Sequence, residues 1–322
     1  MKLTQRESNP YPYSDSNKRY YTYDYYLRHT FGGKCMKIPL NGGFTCPNID
    51  GSRGRGGCIF CSSQGSGDFT LPATMPIAEQ YHLIKERMSS KWRTARCIPY
   101  FQAHTNTYAP ANRLRRLYEE AISLPGAVGL NIATRPDALP DDVVALLAEI
   151  AEKTVLTVEL GLQSVHDTTA ERINRCHTFS EFVDGYNRLR RASKKINLCV
   201  HLINGLPGEN KEMMLENVRT LSALSPDQIK LHLLYVLRNT PLARLYLRGE
   251  YKPLTADEYT QIVCDQLEIL PPDTVIARIT GDGVPEKLLA PEWSRKKLVV
   301  MNSIDRELFH RNTWQGKGWR RK

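Results

Sequence analysis

From residue 36 onward, short apolar runs alternate with stretches whose apolar positions recur every three or four residues. MKIPL reads as a strand, and MPIAEQYHLIKERMSSKW as a helix with Ile77, Tyr81, Leu83, Ile84 and Met88 on one face. CIPYFQA is the next strand, followed by the helix ANRLRRLYEEAISL, which Pro125 and Gly126 end. AVGLNIA leads to DDVVALLAEIAEK, a helix opened by Pro140 and two aspartates that suit its N-terminus. TVLTVELGLQ precedes the helices HDTTAERINR and SEFVDGYNRLRRASKK; INLCVHLING precedes NKEMMLENVRTLSAL; DQIKLHLLYV precedes ADEYTQIVCDQLEIL; and TVIARIT is a last strand. Strands alternating with helices predict an α/β chain built on a parallel sheet. Six successive strand–helix steps favour a barrel, or an open part of one, over a doubly wound sheet. No repeat or low-complexity linker divides it. The expected organisation is an N-terminal arm over 1–34, a barrel over 35–280 and a C-terminal extension over 281–322.

In parallel barrels the site lies at the C-terminal ends of the strands. This chain places polar residues there repeatedly: Gln102, His104, Thr105 and Asn106, then Thr134 and Arg135, then Glu159 and Gln163, then Asn204 before Gly205. Loops are polar anyway, so the recurrence carries the argument rather than any one residue. Glu159 falls inside a strand, where a carboxylate without a partner is costly.

After the first strand comes the loop Asn41–Gln64, with Cys46, Cys58 and Cys61 among six glycines. Three thiolates in a flexible loop are metal ligands. A closed structural site usually takes four protein ligands, whereas a site that does chemistry keeps one position open. Zinc with Cys35 as a fourth ligand is one reading, although a second CxxC pair is missing. A redox dithiol fits less well, because Ser62 and Ser63 follow Cys61 outside a thioredoxin-like context. An iron–sulfur cluster held by three thiolates leaves one iron free, gives the glycines a reason, and lets Phe60 shield it.

The totals narrow the class. No apolar run approaches a membrane span and the N-terminus has no secretory apolar region, so a soluble cytoplasmic protein is expected. Eight cysteines in such a chain argue against a disulfide framework. Cys97, Cys199 and Cys264 sit in apolar stretches and are expected to be buried. The net charge of +10 favours a polyanionic partner. From Ala290 to Lys322 nine Lys or Arg residues face three acids, with Trp293, Trp314 and Trp319 interleaved. That combination suits RNA. The expected C-terminal helix, LVVMNSIDRELFHR, would pack through Leu298, Met301, Ile304 and Leu308 and leave a basic edge free. The N-terminal tyrosines, Tyr11, Tyr13, Tyr20, Tyr21, Tyr23, Tyr25 and Tyr26, read either as an arm covering the core or, with Lys18, Arg19, Arg28 and His29, as a lip that stacks on bases.

Cys46, then Cys58 and Cys61 with an aromatic between them, resembles the cluster loop of radical S-adenosylmethionine enzymes. The usual spacing there is CxxxCxxC, whereas eleven residues separate Cys46 from Cys58 here. With MKIPLNGGFTCPN, GGCIFCS, FQAHTNTYAP, IATRPD, GLQS, GLPGE and RITGDG in order, the chain resembles the YhcC/YtqA family, related to the radical domain of the Elongator catalytic subunit, from about Tyr20 to Trp319. The resemblance implies a partial (β/α)6 TIM-like barrel, a 4Fe-4S cluster on Cys46, Cys58 and Cys61, and S-adenosylmethionine on the free iron, cleaved to a 5′-deoxyadenosyl radical. In place of a GGE-type turn the second strand offers Gln102, Thr105 and Asn106 for the methionine amino group. Gln163 and, twelve residues later, Arg175 match a pair facing the cofactor's ribose and carboxylate. Thr134, Glu159, His201 and Asn204 complete the cofactor-binding set, with a satisfied core histidine as the other reading of His201.

Related members act on the wobble uridine of tRNA. The implied reaction is conversion of 5-carboxymethylaminomethyl-(2-thio)uridine to 5-aminomethyl-(2-thio)uridine, by hydrogen abstraction from the carboxymethyl CH2, oxidation to an imine and hydrolysis. The implied partners are tRNA and a flavodoxin- or ferredoxin-type electron donor. No acetyltransferase domain is recognisable, so acetyl transfer is disfavoured. The competing readings are a radical enzyme for a small molecule such as a tetrapyrrole, and a non-catalytic zinc-bearing RNA-binding protein.

Overall fold

The computed structural model describes residues 9–320 apart from 66, 95 and 282. Arg321 and Lys322 of the basic tail, and Asp282 of RITGDG, lie outside the described residues. The elements in chain order are α1 (Tyr23–Phe31), β1 (Met36–Leu40), α2 (Ile77–Ser89), β2 (Cys97–Phe101), α3 (Ala111–Ser123), β3 (Gly129–Thr134), α4 (Asp141–Lys153) and β4 (Val155–Gln163). There follow α5 (Asp167–Arg172), α6 (Phe179–Ala192), β5 (Asn197–Asn204), α7 (Lys211–Leu224), β6 (Gln228–Leu233), β7 (Val236–Leu237), α8 (Pro241–Leu247), α9 (Ala256–Ile269), β8 (Val275–Arg278), β9 (Leu288–Ala290) and α10 (Lys297–His310).

Seven parallel strands run β1-β2-β3-β4-β5-β6-β8, curled into a half-barrel with the helices outside. The strands alternate, so one face meets the helices and the other lines the lumen. Ile38 and Leu40, Leu130 and Ile132, Val158 and Leu160, Leu198 and Val200, and Ile229 and Leu231 form the outer, fully buried rows. Helix ends are set locally. Thr178 with Glu181 and Thr255 with Glu258 make capping boxes that start α6 and α9. Between β6 and α9 the sequence pattern missed α8, and it missed the small antiparallel pair β7–β9, whose strands are too short to show alternation.

The N-terminal segment is folded into the body. Tyr11 and Tyr20 are 2% exposed, and the Tyr11 hydroxyl donates to the carbonyl of Pro272. Tyr21 and Thr22 lie along the free edge of β8, where the Ile276 amide donates to the Tyr21 carbonyl at 2.8 Å, so that edge is not left open. α1 then crosses the strand starts. Leu27 packs with Cys35 and Ile98, and Tyr23, Tyr26 and Phe31 flank them. The basic lip is mostly tied up in pairs: Lys18 pairs with Asp305, Arg19 is buried and bonds Asn312, and Arg28 pairs with the exposed Asp15 and Asp24, while His29 is exposed.

At the other terminus α10 packs on α9 through Val300, Ile304 and Leu308, with Met301 half-buried. Leu298 is a correction: it is 72% exposed, because the helix turns its first residues outward and Val300 takes the packing position. Cys97, Cys199 and Cys264 are fully buried, as their apolar context required.

Candidate active site

The lumen opens at the strand ends into a cavity of about 320 Å³. Cys46, Cys58 and Cys61 line its mouth with Phe60, and Gln102, Thr105, Thr134, Glu159, Gln163, Arg175 and His201 line its walls and floor. Asn106 and Asn204 are not brought there. The Asn106 amide donates to the carbonyl of Ala133 at 2.7 Å. Asn204 exchanges two 2.8 Å bonds with Gln266 of α9, a neutral amide pair that needs nothing further. Strand-end position is a poor guide here, because it does not say which face a residue takes.

The cysteine loop is held against the turn after α5. The Ile59 amide donates to the carbonyl of Ile173 at 3.0 Å, and the Asn174 side chain donates to the carbonyl of Gly57 at 2.7 Å. Asn48, fully buried, sends its amide nitrogen toward the Cys58 sulfur at 3.6 Å. Gly54 touches this junction so closely that an added Cβ would lie 2.6 Å from the Cys176 sulfur. Gly57, directly before Cys58, sits at φ +74°, where a side chain is strained.

The thiols fit a cluster. All three are free and face one cavity. A hydrogen bond from Cys61, set against burial and aided by Arg135, brings the Cys58 thiol down to about 7, while the same bond and burial push the Cys61 thiol well up. Thiolate is the ligand form. Among the described residues no group of three His, Cys, Asp or Glu side chains is gathered as a single-ion site. Cys35, the proposed fourth zinc ligand, is buried with Leu27 and Ile98 by the strand starts, away from the loop.

Arg175 is almost fully buried and spends its guanidinium on the carbonyls of Leu162, Ser164 (2.6 Å) and His177 (2.9 Å). It braces the end of β4, where Gln163 adopts φ +64° after a bulge against β5. Beside it Arg135 grips Asp137 at 2.8 and 2.9 Å and donates to the carbonyl of Arg175 at 2.8 Å. His177, also on the cavity wall, has no hydrogen-bond partner on either ring nitrogen.

The lumen floor is charged. Glu159 accepts hydrogen bonds from Lys37 (2.9 Å), Tyr100 (2.7 Å), Asn131 (2.8 Å), His201 (3.1 Å) and Lys230. Burial pushes its carboxyl up, but Lys230, Lys37 and His201 outweigh that and hold it well below the usual range. An ionised Glu159 only accepts, so His201 carries its proton on Nε2. Burial lowers His201 to about 4, with Lys230 adding to the effect, so the imidazole is neutral. Burial also lowers Lys230, to about 8, against the pull of Glu159. Sequence reasoning missed Lys37, Tyr100, Asn131, Lys230 and His232. The available signal was alternation: KIPL, IPYF, LNIA, TVEL, CVHL and IKLHL each place a polar or aromatic residue on the face opposite the apolar one.

The fold and this site define a radical S-adenosylmethionine enzyme. The Radical SAM superfamily model matches residues 49–221, and the Radical_SAM C-terminal domain model matches residues 226–310. The chain belongs to the radical SAM superfamily, with a 4Fe-4S cluster and S-adenosylmethionine as its cofactors. It is 49% identical to the uncharacterized protein YtqA of Bacillus subtilis over 98% of this chain and 97% of that one. It is 35% identical to the protein YhcC of Escherichia coli over 88% of this chain and 90% of that one. More distantly, it is 28% identical to the tRNA uridine(34) acetyltransferase of Methanocaldococcus jannaschii over 48% of this chain and 28% of that longer protein. In structure it superposes on Elp3 of Methanocaldococcus infernus with a TM-score of 0.61 at 17% identity, covering 85% of this chain and 63% of that one. Among the described residues no helix is long and apolar enough to cross a membrane.

Proposed function

We propose that this enzyme acts on the wobble uridine of tRNA, removing the carboxymethyl group of 5-carboxymethylaminomethyl-(2-thio)uridine to leave the 5-aminomethyl nucleoside. The observation that carries the reading is a lumen open at the cysteine end and polar to its floor, in a chain whose distant relative bears the name tRNA uridine(34) acetyltransferase. Cys46, Cys58 and Cys61 would hold the cluster, and Gln102, Thr105, Thr134 and Gln163, which line the same cavity, would meet S-adenosylmethionine. Bound there, the pair supplies a hydrogen-abstracting carbon radical and takes back one electron. The substrate's CH2–NH unit thereby loses a hydrogen atom, an electron and a proton to become C=N. Water then adds, and glyoxylate leaves the amine.

The protein's part is to admit one nucleoside and keep water from the reacting carbon. Phe69, 53% exposed, and Ile49, 40% exposed, form an apolar rim at the cavity mouth, suited to a base turned out of its stack. Lys296, Arg306, Lys317 and Arg320 are exposed for a phosphate backbone, whereas Trp293 is occupied, its indole donating to the carbonyl of Leu254 at 3.1 Å. A flavodoxin- or ferredoxin-type donor would reduce the cluster. The test is anaerobic incubation with S-adenosylmethionine, a reductant and tRNA from cells lacking this gene. Formation of 5′-deoxyadenosine together with 5-aminomethyluridine supports the reading; 5′-deoxyadenosine with an unchanged uridine profile overturns it.

A further inference from the structure

The floor of the lumen has more donors than it can use. Lys37, Tyr100, Asn131, His201 and Lys230 all point at one acceptor group, the Glu159 carboxylate. Each ammonium carries three N–H bonds. Lys230 gives one to Glu159 and lies 3.3 Å from the Tyr100 oxygen. Two lysine charges share one carboxylate; Lys37 keeps 25% of its side chain exposed, whereas Lys230, 5% exposed, depends on that shared carboxylate alone for counter-charge. Among the described residues the other side chains that face it supply no negative charge: His201 and His232 are neutral, held there by burial, and Arg278 has a partner of its own. His232 adds a ring nitrogen, Nε2, with no partner. Lys230, Tyr100, His201 and His232 line the cavity, while Lys37 and Asn131 approach Glu159 from the strand starts. A buried cation with an incomplete shell is costly, and the cost is relieved by an anion entering from the open end.

We propose that Lys230, held by Glu159 and Tyr100, is the receptor for a carboxylate on the substrate, which is drawn down the lumen and so fixes the adjacent CH2 below the cysteine mouth. A carboxylate fits better than a phosphate. The floor offers the spare N–H bonds of Lys230 and the unpartnered His232 Nε2, with Arg278 already engaged by a partner of its own, whereas a phosphate dianion would call for several guanidinium forks or backbone amides. Glu159 sets the strength of the receptor, because it keeps Lys230 charged and aimed. The identity of the carboxylate's bearer rests on the wobble-uridine reading; the receptor itself does not.

The experiment uses the full chain with its cluster, anaerobic and unreduced, with S-adenosylmethionine present so that the cofactor's own carboxylate site is filled. The probes are N-methylglycine and N-methylethanolamine, which lacks the carboxylate, read by saturation-transfer NMR on the methyl group. Transfer is expected to N-methylglycine and not to the alcohol. Lys230→Met should weaken the binding on the order of tenfold or more, the loss of a charge-assisted hydrogen bond. Glu159→Gln removes the group that keeps Lys230 charged, so it should weaken the binding near neutral pH and recover it as the pH is lowered and Lys230 regains its proton. Equal transfer to both probes, or a signal unchanged in Lys230→Met, overturns the receptor. If Lys230→Met fails to fold, Glu159→Gln decides alone, since a purely structural role for Glu159 predicts weaker binding at every pH and the receptor predicts recovery on acidification. A wild-type chain that shows the probe pattern but leaves the wobble nucleoside unchanged refutes the substrate reading and keeps the receptor. One that converts the nucleoside without the probe pattern does the reverse.

Discussion

The half-barrel closes its two ends with different materials. Where the strands begin, side chains fill the opening: Tyr23, Tyr26, Leu27 and Phe31 of α1 pack against Ile98 and Val128. Where the strands finish, the chain uses backbone and thiols, with Gly57, Cys58 and Cys61 around an open mouth. Between them lies the Glu159 cluster, which touches both, since Asn131 bonds Glu159 and lines one small gap with Tyr23 and Phe31 of α1. The closed end contributes burial and hence stability. The open end contributes ligands and little packing, so it should tolerate loss of a side chain without unfolding while losing its chemistry entirely.

The strongest test of that division is Cys58→Ala. Its sulfur meets Asn48 and the loop rather than the apolar core. Iron content and 5′-deoxyadenosine formation should fall to background while the far-ultraviolet circular dichroism and melting temperature of the cluster-free protein stay near those of cluster-free wild type. A Cys58→Ala protein that retains iron and cleaves S-adenosylmethionine would move the cluster elsewhere.

The middle layer should respond in the opposite sense. Glu159→Leu leaves Lys37 and Lys230 without a counter-charge, and removing one partner of a buried ion pair costs about 3–5 kcal/mol. Urea denaturation of the cluster-free protein should show that loss. The pH dependence has a defined sign. Folding lowers the Glu159 pKa below its ordinary value of 4.5, so the unfolded chain takes up the proton first as the solution is acidified. The stability difference between wild type and Glu159→Gln should therefore be complete above pH 4.5, start to drain away below it, and be lost only as the pH falls through the much lower value Glu159 has in the fold. A difference that grows on acidification would show that Glu159 is protonated in the fold.

How far these layers were legible follows from what each is made of. The outer rows of the strands announced the sheet, because apolar runs alternating with helical periods admit few other arrangements. The open end announced itself through Cys46, Cys58 and Cys61, since ligand chemistry is local in sequence. The middle layer did not, because its residues meet only through register: His201 stands beside Lys230 on neighbouring strands, and Asn131 beside Tyr100. Glu159 signalled a partner without naming it. Asn106 and Asn204 showed the limit of reading strand ends, where one step along the chain exchanges lumen for helix layer. The closed end was half-visible: its tyrosines stood out, but nothing local says that α1 crosses the strand starts.

At that closed end Leu27→Ala should cost about 2–3 kcal/mol, the usual range for a leucine removed from a packed site that only partly collapses. Leu27 is 6% exposed and sits between Cys35 and Ile98. Iron per chain and the yield of 5′-deoxyadenosine in the folded fraction should not change, because no atom of the cysteine loop is among its neighbours. Loss of iron binding in a Leu27→Ala protein that still melts cooperatively would mean that the two ends are coupled and that the division is wrong.

The smallest effect examines the one thread that joins the plug to the charged layer. Tyr23→Phe removes a phenol that shares a small gap with Asn131, and Asn131 then keeps its 2.8 Å bond to Glu159. Burial pushes the Tyr23 hydroxyl well up, with the Glu159 charge adding to it, so the phenol is neutral at every working pH. Deleting it should cost no more than about 1 kcal/mol, the worth of a single polar contact. If Asn131 serves only to satisfy Glu159, N-methylglycine binding at Lys230 is unaffected in Tyr23→Phe. If instead the phenol orients Asn131, the Glu159 carboxylate rotates and probe affinity shifts along with stability. The two measurements made on one variant thus separate a plug that merely seals the barrel from one that also aims the carboxylate above it.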